Sequence, residues 1–556
     1  MAVASTETRP ADVGLKREMG LIGATWASET SIIGSGWLFA SFFAAQLIGG
    51  AAVLAWLIAG VMIIILALVH AELGAMYPVA GGTARFPHLA FGGIAGTSFG
   101  FFSWLQAVTV APVECFAVMR YAYYYWHSIY NPVTGNVTHV GFVMVIILMA
   151  IFTAINFLAI RLFSRVNAAI TWWKVAIPVL TIIILLFKFH PSNFSVSAHT
   201  ANGGFFHDGA KALFGAIPAA GIVFAYLGFE QADQLAGEIK NPQRNLPRAI
   251  IIATVIGITI YTLLQVVFIG ATPASLLTHG WAGIPATNQI TIGPFAGLAG
   301  AVGLGVWATF LRIDAFVSPF GTGLIYQTST SRVGYGLARN RYFPQIFQKT
   351  DANGVPWVSL IFAFLFGLVF LLPFPSWHSL VSLVTLASLL MYAGAPLSLG
   401  AFRRQVPEAE RPYRLPYGRV LAPAAFAAAN LLIYWGGFET VWKLGICIVI
   451  GYLLIGISMA FDKQRPPLDW KSSQWLPVYL LGIGIISWQG QFGPDNTFRI
   501  PFWWDLLIVI AFSLVIYFWA QAVRLPRGEM LNLVERQGGE APERLPGHYG
   551  ERPIGA

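Results

Sequence analysis

Charge is what this chain is short of. Asp, Glu, Lys and Arg make up 10% of its 556 residues, where a soluble protein carries about a quarter. So few charges cannot clothe a water-facing surface of that size, which excludes an ordinary soluble fold. Cysteine is nearly absent as well: Cys115 and Cys447 both fall inside apolar runs, so no disulfide framework is implied. An HExxH pair, a P-loop and a nucleotide-binding fingerprint placed after a strand are missing too, which counts against an enzyme. No cofactor or metal is expected. A cleavable signal is not expected either, because residues 1–17 are polar and the apolar run behind them is too long.

What is present is apolar length. Hydrophobic residues are 56% of the chain and aromatic ones 14%, with 19 Trp. A bilayer-spanning helix needs roughly 20 apolar residues. Fourteen candidates lie near 18–43, 48–70, 95–126, 139–160, 168–189, 210–235, 247–270, 296–326, 357–373, 378–400, 420–439, 441–461, 475–489 and 502–522. The thirteenth is short and rich in Gly. Charge tests the count independently of hydropathy. With the N-terminus inside, twenty Lys and Arg fall in cytoplasmic loops and only Lys188, Lys211, Lys443 and Arg499 in outer ones. That is the bias of the positive-inside rule. Dropping the thirteenth span would place Arg524 and Arg527 outside, so it is retained and both termini are expected in the cytoplasm. The formal charge of +9 is then a topology signal that suits anionic lipid heads and needs no nucleic acid.

Two of these spans are interrupted at corresponding places. SIIGSGW (Ser31 to Trp37) breaks the first and FAYLGFE (Phe224 to Glu230) the sixth. Paired discontinuous helices point to the binding site of a secondary transporter. The chain therefore reads as a cytoplasmic tail (1–17), a first repeat of helices one to five (18–190) and an inverted second repeat of helices six to ten (210–400). Accessory helices eleven to fourteen (420–522) and a flexible cytoplasmic tail (523–556) complete it.

At the first break, Gly34, Ser35 and Gly36 tolerate unusual dihedrals. Unwinding there frees N–H groups at the positive end of the outer half-helix, which suits a carboxylate; close packing by small residues is the plainer reading. At the second, Gly228 follows Phe224, Ala225, Tyr226 and Leu227, whose freed carbonyls can meet an ammonium, while Phe224, Tyr226 and Phe229 offer an aromatic wall or simple packing. Glu230 is either a proton site or a structural partner of the seventh helix, since a carboxylate at membrane depth is costly unless paired. Asp233 and Glu238 lie nearer the cytoplasm as gate or loop residues. Asp314, Ser318 and Thr322 recur every four residues and share one helix face. Glu114 has no evident role, and Arg120 is expected to snorkel outward.

IIGSGWLF (Ile32 to Phe39), AELGAMYPVAGGTARFPHLAFG (Ala71 to Gly92), FAYLGFEQADQLAGEIKNPQRNLPRAI (Phe224 to Ile250) and SPFGTGLIYQTSTSRVGYGLARNRYFPQIF (Ser318 to Phe347) resemble signatures of the amino acid–polyamine–organocation superfamily of permeases. The likeness spans about residues 15–460, and the two extra C-terminal spans look like those of bacterial aspartate–proton symporter-type members. It implies an all-α integral membrane protein of the LeuT-type 5+5 inverted-repeat fold, with broken first and sixth helices. The implied substrate is an amino acid held between helices one, three, six and eight. Ile33, Gly34, Ser35 and Gly36 would hold its carboxylate and Phe224, Ala225, Tyr226 and Leu227 its amino group, with Ser31 and Gly228 also counted as substrate-binding residues. Lys174 falls where proton-coupled members of the family carry a fifth-helix lysine, or else it snorkels to the interface. Glu29 departs from the family pattern, which has small or apolar residues there, and is a conjectural partner for Lys174. With Glu230 and Asp314 these form the candidate proton-coupling set.

The resulting expectation is proton-coupled amino acid uptake across the cell membrane by alternating access. Exchange of one amino acid or amine for another on the same fold is the alternative, and a non-transporting receptor a more distant one. Side-chain preference and oligomeric state are not legible.

Overall fold

The computed structural model describes residues 17, 19–78, 81–157, 160–351, 354–461, 467–494 and 500–536, with backbone alone at 160–168, 535 and 536. The tails expected at 1–16 and 537–556 lie outside the described residues.

The first half opens with α1 (Leu21–Ile32) and α2 (Gly36–Ile48), divided by three residues. Then come α3 (Ala52–Met76), the short α4 (Gly82–Phe91), α5 (Gly93–Ala122), α6 (His139–Asn156) and α7 (Ile160–Leu186). A two-stranded antiparallel ribbon, Tyr130–Asn131 with Asn136–Val137, joins α5 to α6. The second half follows. Its opening helix is in pieces, α8 (Gly209–Ala219), α9 (Ile222–Ala225) and α10 (Gln231–Gln234), followed by the long α11 (Pro242–Ala271). Short α12 (Gln289–Ile292) and α13 (Pro294–Ala301) precede α14 (Gly305–Arg339), α15 (Trp357–Leu371) and α16 (Trp377–Gln405). Beyond them lie α17 (Gly418–Trp435), α18 (Phe438–Phe461), α19 (Trp470–Ser473), α20 (Trp475–Gln489), α21 (Phe502–Val523) and α22 (Arg527–Arg536).

Eight helical stretches among the described residues are long and apolar enough to cross a bilayer. Half of the first broken helix is among them, because α2 runs on into α3 as one stretch, Gly36–Met76, whereas α1 and the pieces α8 to α10 are too short. The expected thirteenth span is α20, whose 15 residues rise only about 22 Å at 1.5 Å each. The most apolar segment of α5 is wholly buried and that of α16 is 94% buried, against 28% in α6 and in α18. The first two therefore form the protein's interior, and the last two present apolar faces to lipid. α5 packs along α14 and α16, and α3 packs along α11. The broken helices are enclosed by these five and α7.

One expectation is corrected. The region from 523 was expected to be a flexible tail, yet α22 forms there with Met530 and Val534 buried. Leu525 N donates to Ala90 O (3.1 Å), and Gln405 Nε2 donates to both Ala90 O and Leu525 O. Two apolar residues a turn apart suffice to dock this segment, although its composition is polar.

The loop between α16 and α17 is anchored by charge. Glu72 of α3 is fully buried and accepts from Arg403 Nε (3.0 Å) and from Leu415 N (2.7 Å). Arg403 Nη2 stands at 2.5 Å and Arg411 Nε at 3.2 Å. Removing the acid from a buried cluster strands its cations, at a cost of about 3–5 kcal/mol. Glu72→Ala is therefore expected to lower Tm markedly in a detergent thermal-shift assay; an unchanged Tm would show that this cluster carries no stability.

Candidate substrate site

The break in the first helix leaves main-chain groups that side chains from distant helices satisfy. Ile33 N still reaches Glu29 O, but Gly34 N turns to Ile32 O and Leu38 N to Ser35 O, so the regular ladder lapses over one turn. On the α1 side, Thr30 O accepts from Lys174 Nζ (2.5 Å) and Thr322 Oγ1 (2.8 Å), and Ile32 O accepts from Tyr261 Oη (2.6 Å). On the α2 side, Ser35 N donates to Glu114 Oε2 (2.9 Å) and Ser35 Oγ donates to Glu114 Oε1 (3.1 Å). Trp377 Nε1 donates to the same Ser35 hydroxyl (2.9 Å). A cation thus closes a helix C-terminus and a carboxylate faces a helix N-terminus, each the sign that the helix dipole favours.

The second break is built from glycine. Gly221 adopts φ 82° where α8 ends, and Gly228 adopts φ 124° in the turns of 226–230 that part α9 from α10. The carbonyls of Ala225, Tyr226 and Leu227 accept no main-chain hydrogen bond among the described residues. The two breaks touch. A Cβ on Gly36 would stand 2.7 Å from Ala225 Cα, and one on Gly228 would stand 2.7 Å from Ile32 N. Only glycine allows main chain to meet main chain this closely.

Beside that crossing lies a small cavity, lined by Ser31, Gly34, Gly36, Phe224 and Leu227 from the breaks, with Glu114, Thr322 and Tyr326 among the rest. Five of the ten expected substrate-binding residues therefore line it. Ile33, Ser35, Ala225, Tyr226 and Gly228 are outside the lining. Tyr226 turns its ring onto Trp56 and donates to Trp56 O (3.1 Å). Phe229 stacks on Tyr392, whereas Phe224 meets Trp377 edge to face.

The candidate proton-coupling residues separate into distinct places. Lys174 is fully buried at the crossing and does not snorkel. Its conjectured pairing with Glu29 is not made: both Glu29 carboxylate oxygens are buried without a hydrogen-bond partner, while the amine is held by Thr30 and Thr322. The reason is that α1's freed carbonyl competes successfully for the ammonium. Asp314 accepts from Ser318 Oγ (2.8 Å) and Trp173 Nε1 (2.9 Å), so the expected shared face exists. Glu230 accepts from Gly228 N (2.9 Å), Tyr392 Oη (2.6 Å) and Tyr326 Oη (3.3 Å). Arg120 also departs from expectation. It is buried, stacks over Phe39 (4.8 Å) and Phe43 (5.1 Å), and donates to Ile292 O, because these rings and a helix end replace the water it would otherwise seek.

Glu114, Trp377 and Tyr326 are the site residues that sequence reading left without a role. A carboxylate in an apolar run flagged Glu114, but its partner is a main-chain N–H 79 residues away. Trp377 and Tyr326 carried no signal beyond being aromatic.

Interrupted helices crossing at a buried cavity, within a chain of many apolar helices, define a multi-pass membrane permease. The chain belongs to the amino acid permease family, whose model matches residues 19–455. It is a transporter of amino acids and not an enzyme. It is 34% identical over 521 residues to the aspartate-proton symporter of Bacillus subtilis (strain 168), covering 92% of this chain and 97% of that one. To the glutamate/serine transporter AimA of the same organism it is 35% identical over 519 residues, covering 91% and 94%. The large neutral amino acids transporter small subunit 2 of Rattus norvegicus is 25% identical over 504 residues, covering 87% and 89%.

Gly36→Val would drive a side chain into Ala225 and part the two breaks. Saturable amino acid binding, measured by scintillation proximity on purified protein, is expected to be lost; wild-type affinity would show that the crossing is not the site.

Proposed function

We propose that this permease takes up an amino acid across the cell membrane by proton symport, on the LeuT-type 5+5 inverted-repeat plan with about fourteen spans and both termini cytoplasmic. The observation that carries this reading is a buried lysine held on the broken strand of α1, next to the cavity. Lys174 Nζ bonds Thr30 O and Thr322 Oγ1. Both Thr322 Oγ1 (2.9 Å) and Glu114 Oε1 (2.8 Å) crowd the point where a Gly34 Cβ would stand. An ammonium there holds the α1 end in place. Losing its proton weakens that hold, because a hydrogen bond from a charged donor is worth about 1.5–3 kcal/mol against about 1 for a neutral one. The state of one proton thereby biases the shape of the substrate site.

In this reading the substrate carboxylate sits at the N–H groups of Gly34 to Gly36, a seat that Glu114 keeps satisfied when no substrate is bound. The substrate ammonium meets the carbonyls of Ala225, Tyr226 and Leu227. Phe224 and Trp377 cover the seat from one side. Glu230 and Asp314 are further proton-holding groups on either side of the crossing. The names of the two Bacillus relatives, an aspartate-proton symporter and a glutamate/serine transporter, favour small amino acids, acidic ones among them, as substrates. The first name also favours a proton as the coupling ion. Residues 18–190 and 210–400 form the two moving repeats, and 420–522 the accessory helices.

Proteoliposomes test this. Symport acidifies the lumen as substrate enters empty vesicles, whereas an exchanger needs a preloaded partner and leaves lumenal pH unchanged. Lys174→Ala is expected to keep substrate binding while losing accumulation driven by a pH gradient. Undiminished accumulation in that variant would remove Lys174 from the coupling.

A further inference from the structure

Asp233 is a buried acid that the substrate site does not use. It lies on α10, three residues after Glu230, and is 1% exposed. Neither of its carboxylate oxygens has a hydrogen-bond partner among the described residues, and the neighbouring Gln234 side chain is likewise unpartnered at both ends. The carboxylate is wedged between helices: a Cβ on Gly74 of α3 would fall 2.1 Å from Asp233 Oδ1 and 2.2 Å from Leu246 Cδ2 of α11.

The charges around it do not neutralise it. On its own segment it feels Glu230, while Glu238 is taken by Arg332 of α14 at 3.0 Å. From α3 come His70, whose Nδ1 bonds Leu66 O, Tyr77 at the helix end, and Glu72, occupied by Arg403 and Arg411. Of the elements packed on α10, α1 carries Glu29, α4 carries Arg85 and His88, α14 carries Tyr326 and α11 presents Leu246, while Tyr392 of α16 bonds Glu230. No Lys or Arg among the described residues comes within ion-pair distance of Asp233. An unpaired ionised carboxylate at such depth costs several kcal/mol. Closure of the wedge therefore requires Asp233 to carry a proton, and parting α10 from α3 lets water remove it.

A hydrogen-bonded route of hydroxyl and carboxyl groups leads from the cavity as far as Glu230, next to this acid. Tyr326 lines the cavity, its hydroxyl bonds Glu230, and Glu230 lies one turn before Asp233. We propose that Asp233 is the cytoplasmic proton-release group of the transport cycle, which rests on the symport reading above. When the inner passage opens, the Asp233 O–H bond breaks and its proton goes to water. Glu230, which makes no bond to Asp233 in the closed wedge, then gives its proton to the Asp233 carboxylate through the water that has entered, one O–H bond breaking as the other forms. Asp233 is neutral again for closure, and Glu230 is left ionised to receive the next proton from the cavity side. One proton leaves per cycle.

The test is Asp233→Asn, which keeps the shape of the wedge but cannot exchange a proton. In proteoliposomes loaded with a lumenal pH dye, radiolabelled L-glutamate and L-serine serve as probes. Counterflow, a partial reaction with no net proton release, is expected within two-fold of wild type. Net gradient-driven uptake and lumenal acidification are expected to fall at least ten-fold. Full net uptake with normal acidification would overturn the proposal. So would equal loss of counterflow and net uptake in a monodisperse variant, which marks a merely structural residue. Should Asn prevent folding, the smaller Asp233→Ser is read by the same two measurements. A wild-type protein that imports both probes without acidifying the lumen would sink the symport reading itself, a result distinct from failure of Asp233 alone.

Discussion

A helix cut in the middle of an apolar protein creates two ends of opposite polarity where no bulk water reaches them. Every main-chain group there must find a partner inside the protein. This constraint organises the rest of the structure. The C-terminal end of α1 draws in Lys174, Thr322 and Tyr261, and the N-terminal end of α2 draws in Glu114. Four helices far apart in sequence (α5, α7, α11 and α14) are thereby tied to three residues of the chain.

The same constraint explains why the interior is polar where it is. Glu114, Lys174, Glu230 and Asp314 are all fully buried, yet each except Lys174 accepts from hydroxyl, indole or main-chain donors, and Lys174 donates to oxygen acceptors. Glu29 and Asp233 stand apart, because their oxygens are buried and unpartnered. Burial without pairing is the condition under which an acid's charge follows the opening and closing of its surroundings. α6 and α18 show none of this: they present Ile, Val, Leu, Phe and Trp to lipid and contribute support.

Much of the site was legible in one dimension because glycine marks it. GSG at 34–36 and the Gly228 turn announced both interruptions, and Gly36 and Gly228 prove to be the points where main chains touch. The lysine and the acids were legible as charges inside apolar runs. Their partners were not. Glu29 was matched to Lys174 on shared depth alone, but depth leaves the direction around the helix open, and a freed carbonyl took the amine. Tyr226 looked like part of the wall, yet its ring packs on Trp56 because α3 is nearer than the cavity. The tail after 523 looked unstructured by composition, and Met530 and Val534 docked it.

The sequence by itself determined that the protein is helical, lives in a bilayer, opens both halves with a broken helix and belongs with amino acid permeases. Those properties depend on local chemistry, namely apolar length, the placement of charge and the conformational freedom of glycine. Only the tertiary structure decided which side chain answers each severed hydrogen bond, which expected residues face the cavity and which acids are left unpaired. These depend on how helices hundreds of residues apart rotate against one another, and the packing that sets those rotations is shared over the whole interior.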